Sequence, residues 1–363
     1  MNKMSINNSL SAITIALCSV YSVSTFSANK SFPFYATQLK AGERFYAPKH
    51  AQGSQGKGFD ISMLKKRSNG RWYFNKPGTS GSRNSHSVIY AKKFYAISDG
   101  IVFRCWRNAP QNPRPGSYHP QNGLRIPGGG NMVWVKQSDG TNVLYAHAIP
   151  GTIPSSVCPL NARLYSAKGR TYEANVPKVQ QVKIRKGQFL GRVGNSGNSG
   201  GTHLHVHIQK RSNNAPVPIR WSGGLATRGS RQGARFTVNL NRKWYNLTGK
   251  TIPVNRSIIW PPFKTVGSLT RNNIRIRDFR RFFDHAASSG FYPVKLKGYV
   301  RNGELHYDSK WLPANQPWLS WYGISKTARN SRVSYASSKG FRKIYEWFTT
   351  VNGTRLYSLI FVK

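Results

Sequence analysis

Thr202-His203-Leu204-His205-Val206-His207 alternates imidazole with aliphatic side chains. A period of two is that of a β-strand, which sends His203, His205 and His207 to one face and Leu204 and Val206 to the other. The chain holds nine histidines in all, so three on one strand face point to a metal centre. The alternative is a chance alternation of ordinary surface or core histidines. Neutral imidazole suits Zn²⁺, and a catalytic zinc takes three protein ligands with one position left open. Just upstream, residues 194–201 read Gly-Asn-Ser-Gly-Asn-Ser-Gly-Gly. This loop has the glycines of a phosphate cradle but lacks the Lys-Ser/Thr pair of a P-loop. It reads as a flexible loop leading into the histidine strand.

Two more candidate ligands or catalytic groups lie outward from this strand. His147 closes the apolar strand Leu144-Tyr145-Ala146-His147, and Asp60 sits in Gly58-Phe59-Asp60-Ile61. A carboxylate oxygen beside two imidazoles is an acceptable zinc set. Other short β patterns occur at 88–90, 94–97, 101–104, 132–136, 182–185 and 189–193, with Asp99-Gly100 and Asp139-Gly140 as tight-turn signals. Residues 107–130 and 150–177 read as long loops. The expectation is a mainly β domain, an antiparallel sheet in an open sandwich with long loops. Residues 212–235, rich in Asn, Gly, Ser, Pro and Arg, read as a linker. In 236–363, Gly290-Phe291, Asn302-Gly303 and Tyr307 match Gly340-Phe341, Asn352-Gly353 and Tyr357 at a spacing of 50. Each unit reads as a short helix, a Gly stop, a strand, an Asn-Gly turn and a second strand. That predicts a small α+β tandem-repeat domain, the alternative being coincidence between Gly- and Ser-rich stretches.

The 363 residues carry 55 Lys plus Arg against 10 Asp plus Glu, a net charge of +45. With 38% hydrophobic and 13% aromatic residues, the composition argues against wholesale disorder. The charge points to a polyanion: nucleic acid, anionic lipid or an acidic envelope polymer. The scarcity of acids excludes more. Between Asn29 and Arg235 they are Glu43, Asp60, Asp99, Asp139 and Glu173. An EF-hand loop is absent, and the paired carboxylates of a glycosidase would have to come from this short list. Residues 1–28 read as a cleaved export signal, with Lys3, an apolar run at 10–20 and small residues at Ser22, Ser24, Ser27 and Ala28. No later stretch suggests a transmembrane anchor, so a periplasmic or extracellular location is expected. There the two cysteines left after cleavage, Cys105 and Cys158, are expected to bond rather than remain as two buried thiols.

Taken in order, several segments resemble the lysostaphin-type zinc metallopeptidases, which cleave peptide cross-links in bacterial peptidoglycan. They are Gly58-Phe59-Asp60-Ile61, Tyr95-Ala96-Ile97-Ser98-Asp99-Gly100-Ile101, Gly130-Asn131-Met132-Val133-Trp134-Val135, Leu144-Tyr145-Ala146-His147, Lys186-Gly187-Gln188-Phe189-Leu190-Gly191, Val193-Gly194-Asn195-Ser196-Gly197-Asn198-Ser199 and His203-Leu204-His205. The resemblance spans 45–210 and implies a metallopeptidase domain over 29–211. It implies Asp60 and His205 as Zn²⁺ ligands, and His147 and His203 as the histidines beside the attacking water and the oxyanion. The chain departs from the common pattern at Gly56, where the first ligand histidine would stand. Some secreted members place that histidine farther upstream across a Gly/Ser-rich loop, so His50 is the first substitute and His86 the second; otherwise the ligand is absent. His207 stands where the family has a non-ligand residue, and is expected to support the site or the fold. The C-terminal region resembles, more weakly, tandem modules of secreted bacterial hydrolases.

The implied function is a secreted zinc endopeptidase that hydrolyses peptidoglycan cross-links by a zinc-activated water with histidine assistance. Its partners would be peptidoglycan peptides and, through the basic surface, anionic envelope polymers; an export signal makes a nucleic-acid role less natural, and no nucleic-acid partner is expected. Two other readings stand beside it. One is a degenerate relative that binds or regulates cell-wall machinery, favoured by Gly56. The other is a basic binding protein without chemistry, which leaves the histidine strand unexplained.

Overall fold

The computed structural model describes residues 29–49, 53–119, 124–125, 128–160, 165–166, 174–232, 235–240 and 243–363. Residues 1–28, read as an export signal, and His50 lie outside the described residues. The chain divides into two units, Phe26–Lys264 and Thr265–Lys363. The first unit is built on one antiparallel sheet. Its main strands are β1 (Glu43–Tyr46), β2 (Phe59–Lys66), β3 (Gly100–Trp106), β4 (Asn131–Lys136), β5 (Thr141–Ala148), β6 (Val182–Ile184), β7 (Leu204–Lys210), β8 (Leu225–Thr227), β9 (Tyr245–Asn246) and β10 (Ile258–Trp260). They run in the order β6-β3-β4-β5-β7-β2-β1-β10-β8-β9, an open sheet. The histidine strand β7 therefore lies near the centre, between β5 and β2. One face of β7 carries Leu204, Val206 and Ile208 into a core shared with Phe59, Ile61, Val133, Val143 and Tyr145. These three aliphatics are at most 2% exposed, and each such burial is worth about 1.5–3 kcal/mol. The histidines take the opposite face, as the alternation predicts.

Three sequence expectations change. The stretch 88–90 is a turn, not a strand: Val88 and Ile89 are buried, but Tyr90 N–H closes on Ser87 O and Ala91 has φ +63°. Asp99-Gly100 closes no hairpin, because Lys93–Tyr95 pairs with Phe189–Arg192 while β3 pairs with β6 and β4. Gly100 is instead a close-approach position, where a Cβ would lie 2.4 Å from Val135 Cγ1, and Asp99 accepts from Lys186 N–H. Residues 212–235 are not a linker. They hold β8 and the strand Gly229–Gln232, and the unit runs on through β10, so the domain boundary falls after Lys264 rather than at 211. β8 is three residues long and Gly229–Gln232 is short and polar, too little in a Gly-rich stretch to show a period of two. The Asp139-Gly140 turn does join β4 to β5.

Cys105, on β3, bonds Cys158 and ties the central sheet to the loop after β5. The bridge closes a 53-residue separation, for which chain entropy gives stabilisation of about 4 kcal/mol. Reduction, or Cys158→Ser, is expected to lower the unfolding free energy by up to that amount, seen as a fall in the denaturant midpoint; an unchanged midpoint would refute it.

The second unit contains two β-α-β-β arrangements. The first is β11 (Leu269–Arg275), α1 (Ile276–Ser288), β12 (Phe291–Arg301) and β13 (Glu304–Pro313). The second is β14 (Trp318–Ile324), α2 (Lys326–Ser338), β15 (Arg342–Val351) and β16 (Thr354–Val362). Each forms a three-stranded sheet with the last strand in the middle. Register irregularities fall at 271/274 and 293/295 in one and at 321/324 and 343/345 in the other. The leading strand of each was absent from the sequence expectation. Phe279, Phe282 and Phe283 of α1 are buried, whereas α2 carries Arg329, Arg332 and Val333 at the same spacing. Arg329 pairs with Glu346, at the position where the first arrangement buries Leu296.

Asp284 on α1 is a local cost. Burial pushes its carboxyl up to about 6, against the pull of Arg280. The folded form holds the proton more tightly than the unfolded one, so stability falls as pH rises from about 4 to about 6 and stays lower above that. Asp284→Asn is expected to stabilise this unit by about 2 kcal/mol at neutral pH, with almost no gain at about pH 4. Equal gains at both values would refute the assignment.

Candidate metal centre

Strand register builds the centre. His205 is the cross-strand partner of Asp60 on β2 and of Ala146 on β5, so Asp60 and His205 share a face at adjacent positions. His205 Nδ1 lies 2.7 Å from Asp60 Oδ1, and His203 Nε2 lies 3.5 Å from the same oxygen. Ligand atoms of Asp60, His203 and His205 fall within 4.8 Å of one another. Side-chain exposure rises from 4% at His205 to 18% at His203 and 35% at Asp60, so the cluster opens towards solvent at Asp60. One carboxylate oxygen with imidazole nitrogens is a donor set that fits Zn²⁺. Burial pushes the Asp60 carboxyl up, but hydrogen bonds and positive charge from His203 and His205 outweigh it and hold the group well below the usual carboxylate range.

His147 reaches the centre by breaking the strand rule. Ala146 pairs with His205 and faces the site, so regular alternation would send His147 to the core side. Instead its backbone is left-handed, with φ +72°, a conformation costing a non-glycine residue about 1–2 kcal/mol. His147 N–H donates to Gly129 O, and His147 O accepts from Gly194 N–H. The ring stands 4.8 Å from that of His203 and 6.1 Å from that of His205, centroid to centroid. His147 Nδ1 is 2.8 Å from Ser196 O. A carbonyl only accepts, so the proton sits on Nδ1 and Nε2 keeps its lone pair. Burial, reinforced by His203 and His205, holds its pKa well below 6.5 against the opposing pull of Ser196 O and Asp60. The ring is neutral at physiological pH. His203 Nδ1 is likewise bound to a carbonyl, Gly201 O at 2.8 Å.

Both anchoring carbonyls belong to the 194–201 loop, which is a positioning device and not a phosphate cradle. Gly197 and Gly130 pack backbone on backbone: a Cβ on Gly197 would meet Gly130 N at 2.3 Å, and one on Gly130 would meet Ser196 at 2.4 Å. Asn131 on β4 donates to Ala109 O and Ala148 O, and its N–H donates to Ser196 Oγ. Asn112 Nδ2 donates to Gly197 O and Ser199 O. The side-chain amides of Asn195 and Asn84 meet at 2.8 Å. These buried asparagines were not singled out from the sequence; an Asn in a Gly/Pro-rich stretch reads as a turn residue, and nothing local reveals that it is buried.

His86 lies in the short helix Asn84–His86 and does not belong to the metal-ligating cluster. Gly56 offers no side chain and sits in a turn, its N–H donating to Gly53 O. Lys49 forms a bridge to Phe59, the residue before Asp60. His207 Nδ1 stands 2.8 Å from His205 Nε2. Among the described residues, no helix is long and apolar enough to cross a membrane.

No family model matches the chain. Among solved structures it is similar to the M23 metalloprotease pseudoalterin from the deep sea, at 13% identity over 65% of this chain and 98% of that one, with a TM-score of 0.28. It is similar to the catalytic domain of the antimicrobial peptidase lysostaphin from Staphylococcus simulans, at 17% identity over 50% and 90%, with a TM-score of 0.24. A zinc-containing peptidase from Vibrio cholerae matches at 16% identity over 50% and 56%, with a TM-score of 0.20.

Proposed function

We propose that this chain is an exported zinc metalloendopeptidase that hydrolyses peptide cross-links of bacterial peptidoglycan. The observation that carries the proposal is the register match of Asp60 with His205, which sets a carboxylate among imidazoles on an accessible sheet face beside the strained His147. Asp60 and His205 are the ligands, with His50 as the third; the bridge from Lys49 to Phe59, next to Asp60, supports that choice. Bound there, Zn²⁺ would supply Lewis-acid polarisation of the scissile carbonyl and lower the pKa of water. The residues around it handle protons and charge. His147, neutral and with its Nδ1 proton committed to Ser196 O, offers Nε2 as an acceptor. His203, anchored at Gly201 O, turns Nε2 towards the same space, where its protonated form donates to developing negative charge. The excess of Lys and Arg supports retention on anionic envelope polymers, a contact that added salt weakens.

Purified mature protein tests the reading. Bound zinc and chelator-sensitive digestion of peptidoglycan are expected, both lost in His205→Ala. Bound zinc without digestion would favour the degenerate reading raised by Gly56. Neither zinc nor digestion would overturn the enzyme altogether, and zinc retained in His50→Ala would overturn only that ligand.

A further inference from the structure

We infer that His207 is a positioning residue, which holds the Nε2–H of His205 and so commits His205 Nδ1 to the metal. The inference rests on the metallopeptidase reading, but its geometry stands apart from it. His205 Nδ1 faces Asp60 Oδ1 at 2.7 Å, while Nε2, on the far side of the ring, faces His207 Nδ1 at 2.8 Å. A neutral imidazole has one N–H and one lone pair. When Nδ1 gives its lone pair to a cation, the proton must sit on Nε2, and His207 Nδ1 is the acceptor within reach. Such an outer hydrogen bond fixes the tautomer and ring angle of a ligand and raises its basicity.

His207 is itself wedged in place. Its ring stands edge-on to Trp134, centroids 5.3 Å apart, and its Cβ lies so close to β2 that a Cβ on Gly58 would approach it to 2.6 Å. Gly58 is thus glycine because β2 must pass His207 on its way to Asp60. The same stretch sets the position of the ligand and leaves room for the residue that orients its partner. A third histidine supports His205 from the Nε2 side, which explains why the alternation runs one step beyond the two histidines the chemistry needs.

The test compares full-length mature wild type, His207→Leu and His207→Asn. Leucine fills the space without an acceptor, whereas asparagine puts a carbonyl oxygen where Nδ1 stands. Zinc affinity, from competition with a chelator, is expected to fall about 10–100-fold in His207→Leu and to return to within a few-fold of wild type in His207→Asn. Histidine ¹H–¹⁵N spectra of the zinc-loaded protein are expected to show the proton of His205 on Nε2 in wild type and His207→Asn. Wild-type affinity in His207→Leu would overturn the inference, as would equal losses in both variants with unchanged thermal melts. If wild type binds no zinc, the metallopeptidase reading falls and the metal-free spectra decide alone. A hydrogen-bonded proton shared by His205 and His207 that disappears in His207→Leu sustains the orienting contact, and ring resonances of His205 unmoved by the substitution refute it.

Discussion

Asp60→Asn is expected to weaken zinc binding by at least about a hundredfold and to remove chelator-sensitive hydrolysis with it. Asparagine keeps the shape of the side chain and gives up its charge. In the metal-free protein the loss is small, because an amide oxygen still accepts from His205 Nδ1. In the loaded protein it is large, since a neutral amide is a far poorer ligand for Zn²⁺ than a carboxylate, and removal of a mere outer hydrogen bond already costs 10–100-fold. Among the described residues of this unit, the other acids are engaged elsewhere. Glu43 pairs with Lys92, Asp139 pairs with Lys30 and caps its own turn, and Asp99 accepts from Lys186 N–H. Against the effect of burial, hydrogen bonds and charge from His203 and His205 hold the Asp60 carboxyl well below the usual carboxylate range, so the charge that asparagine removes is present at neutral pH. Chelator competition on the two proteins, with thermal melts alongside, checks the expectation; stoichiometric zinc in Asp60→Asn would sink Asp60 as a ligand.

Much of this centre is legible in the sequence because a period of two survives any detail of packing. His203, His205 and His207 share a face as their alternation predicts, and Asp60 stands out among so few carboxylates. The two cysteines pair, as expected of a chain read as exported. What is not legible is whatever depends on contacts across the sheet. Glycines 58, 130 and 197 read as loop residues, yet each is required by a backbone or side chain distant in sequence. Asn84, Asn112, Asn131 and Asn195 carry the buried hydrogen bonds of the 194–201 loop while looking like turn formers. The strands of 212–235 escape notice because they are short and sit among Gly, Ser and Arg residues that imitate a linker. His147 illustrates both sides: the sequence marks it at the end of an apolar strand, where alternation would turn it away from the centre.

That contradiction sets the second large expectation, carried by His147→Gly, His147→Ala and His147→Gln. All three remove Nε2 as the acceptor, and hydrolysis is expected to fall by about 10²–10⁴-fold with zinc retained. Stability should separate them in an unusual order. Within a strand, glycine is ordinarily less stable than alanine by about 0.5–1 kcal/mol. At φ +72° the sign reverses, since alanine pays the left-handed penalty of about 1–2 kcal/mol and glycine does not. His147→Gly is therefore expected to unfold at higher denaturant than His147→Ala, by about 1 kcal/mol, though both lose the bond to Ser196 O. Strain kept at a position where glycine would relieve it is what a site holding a ring for chemistry would show. Alanine matching or exceeding glycine in denaturant melts would remove the strain argument, and hydrolysis near the wild-type rate in His147→Gln would remove the proton-accepting role.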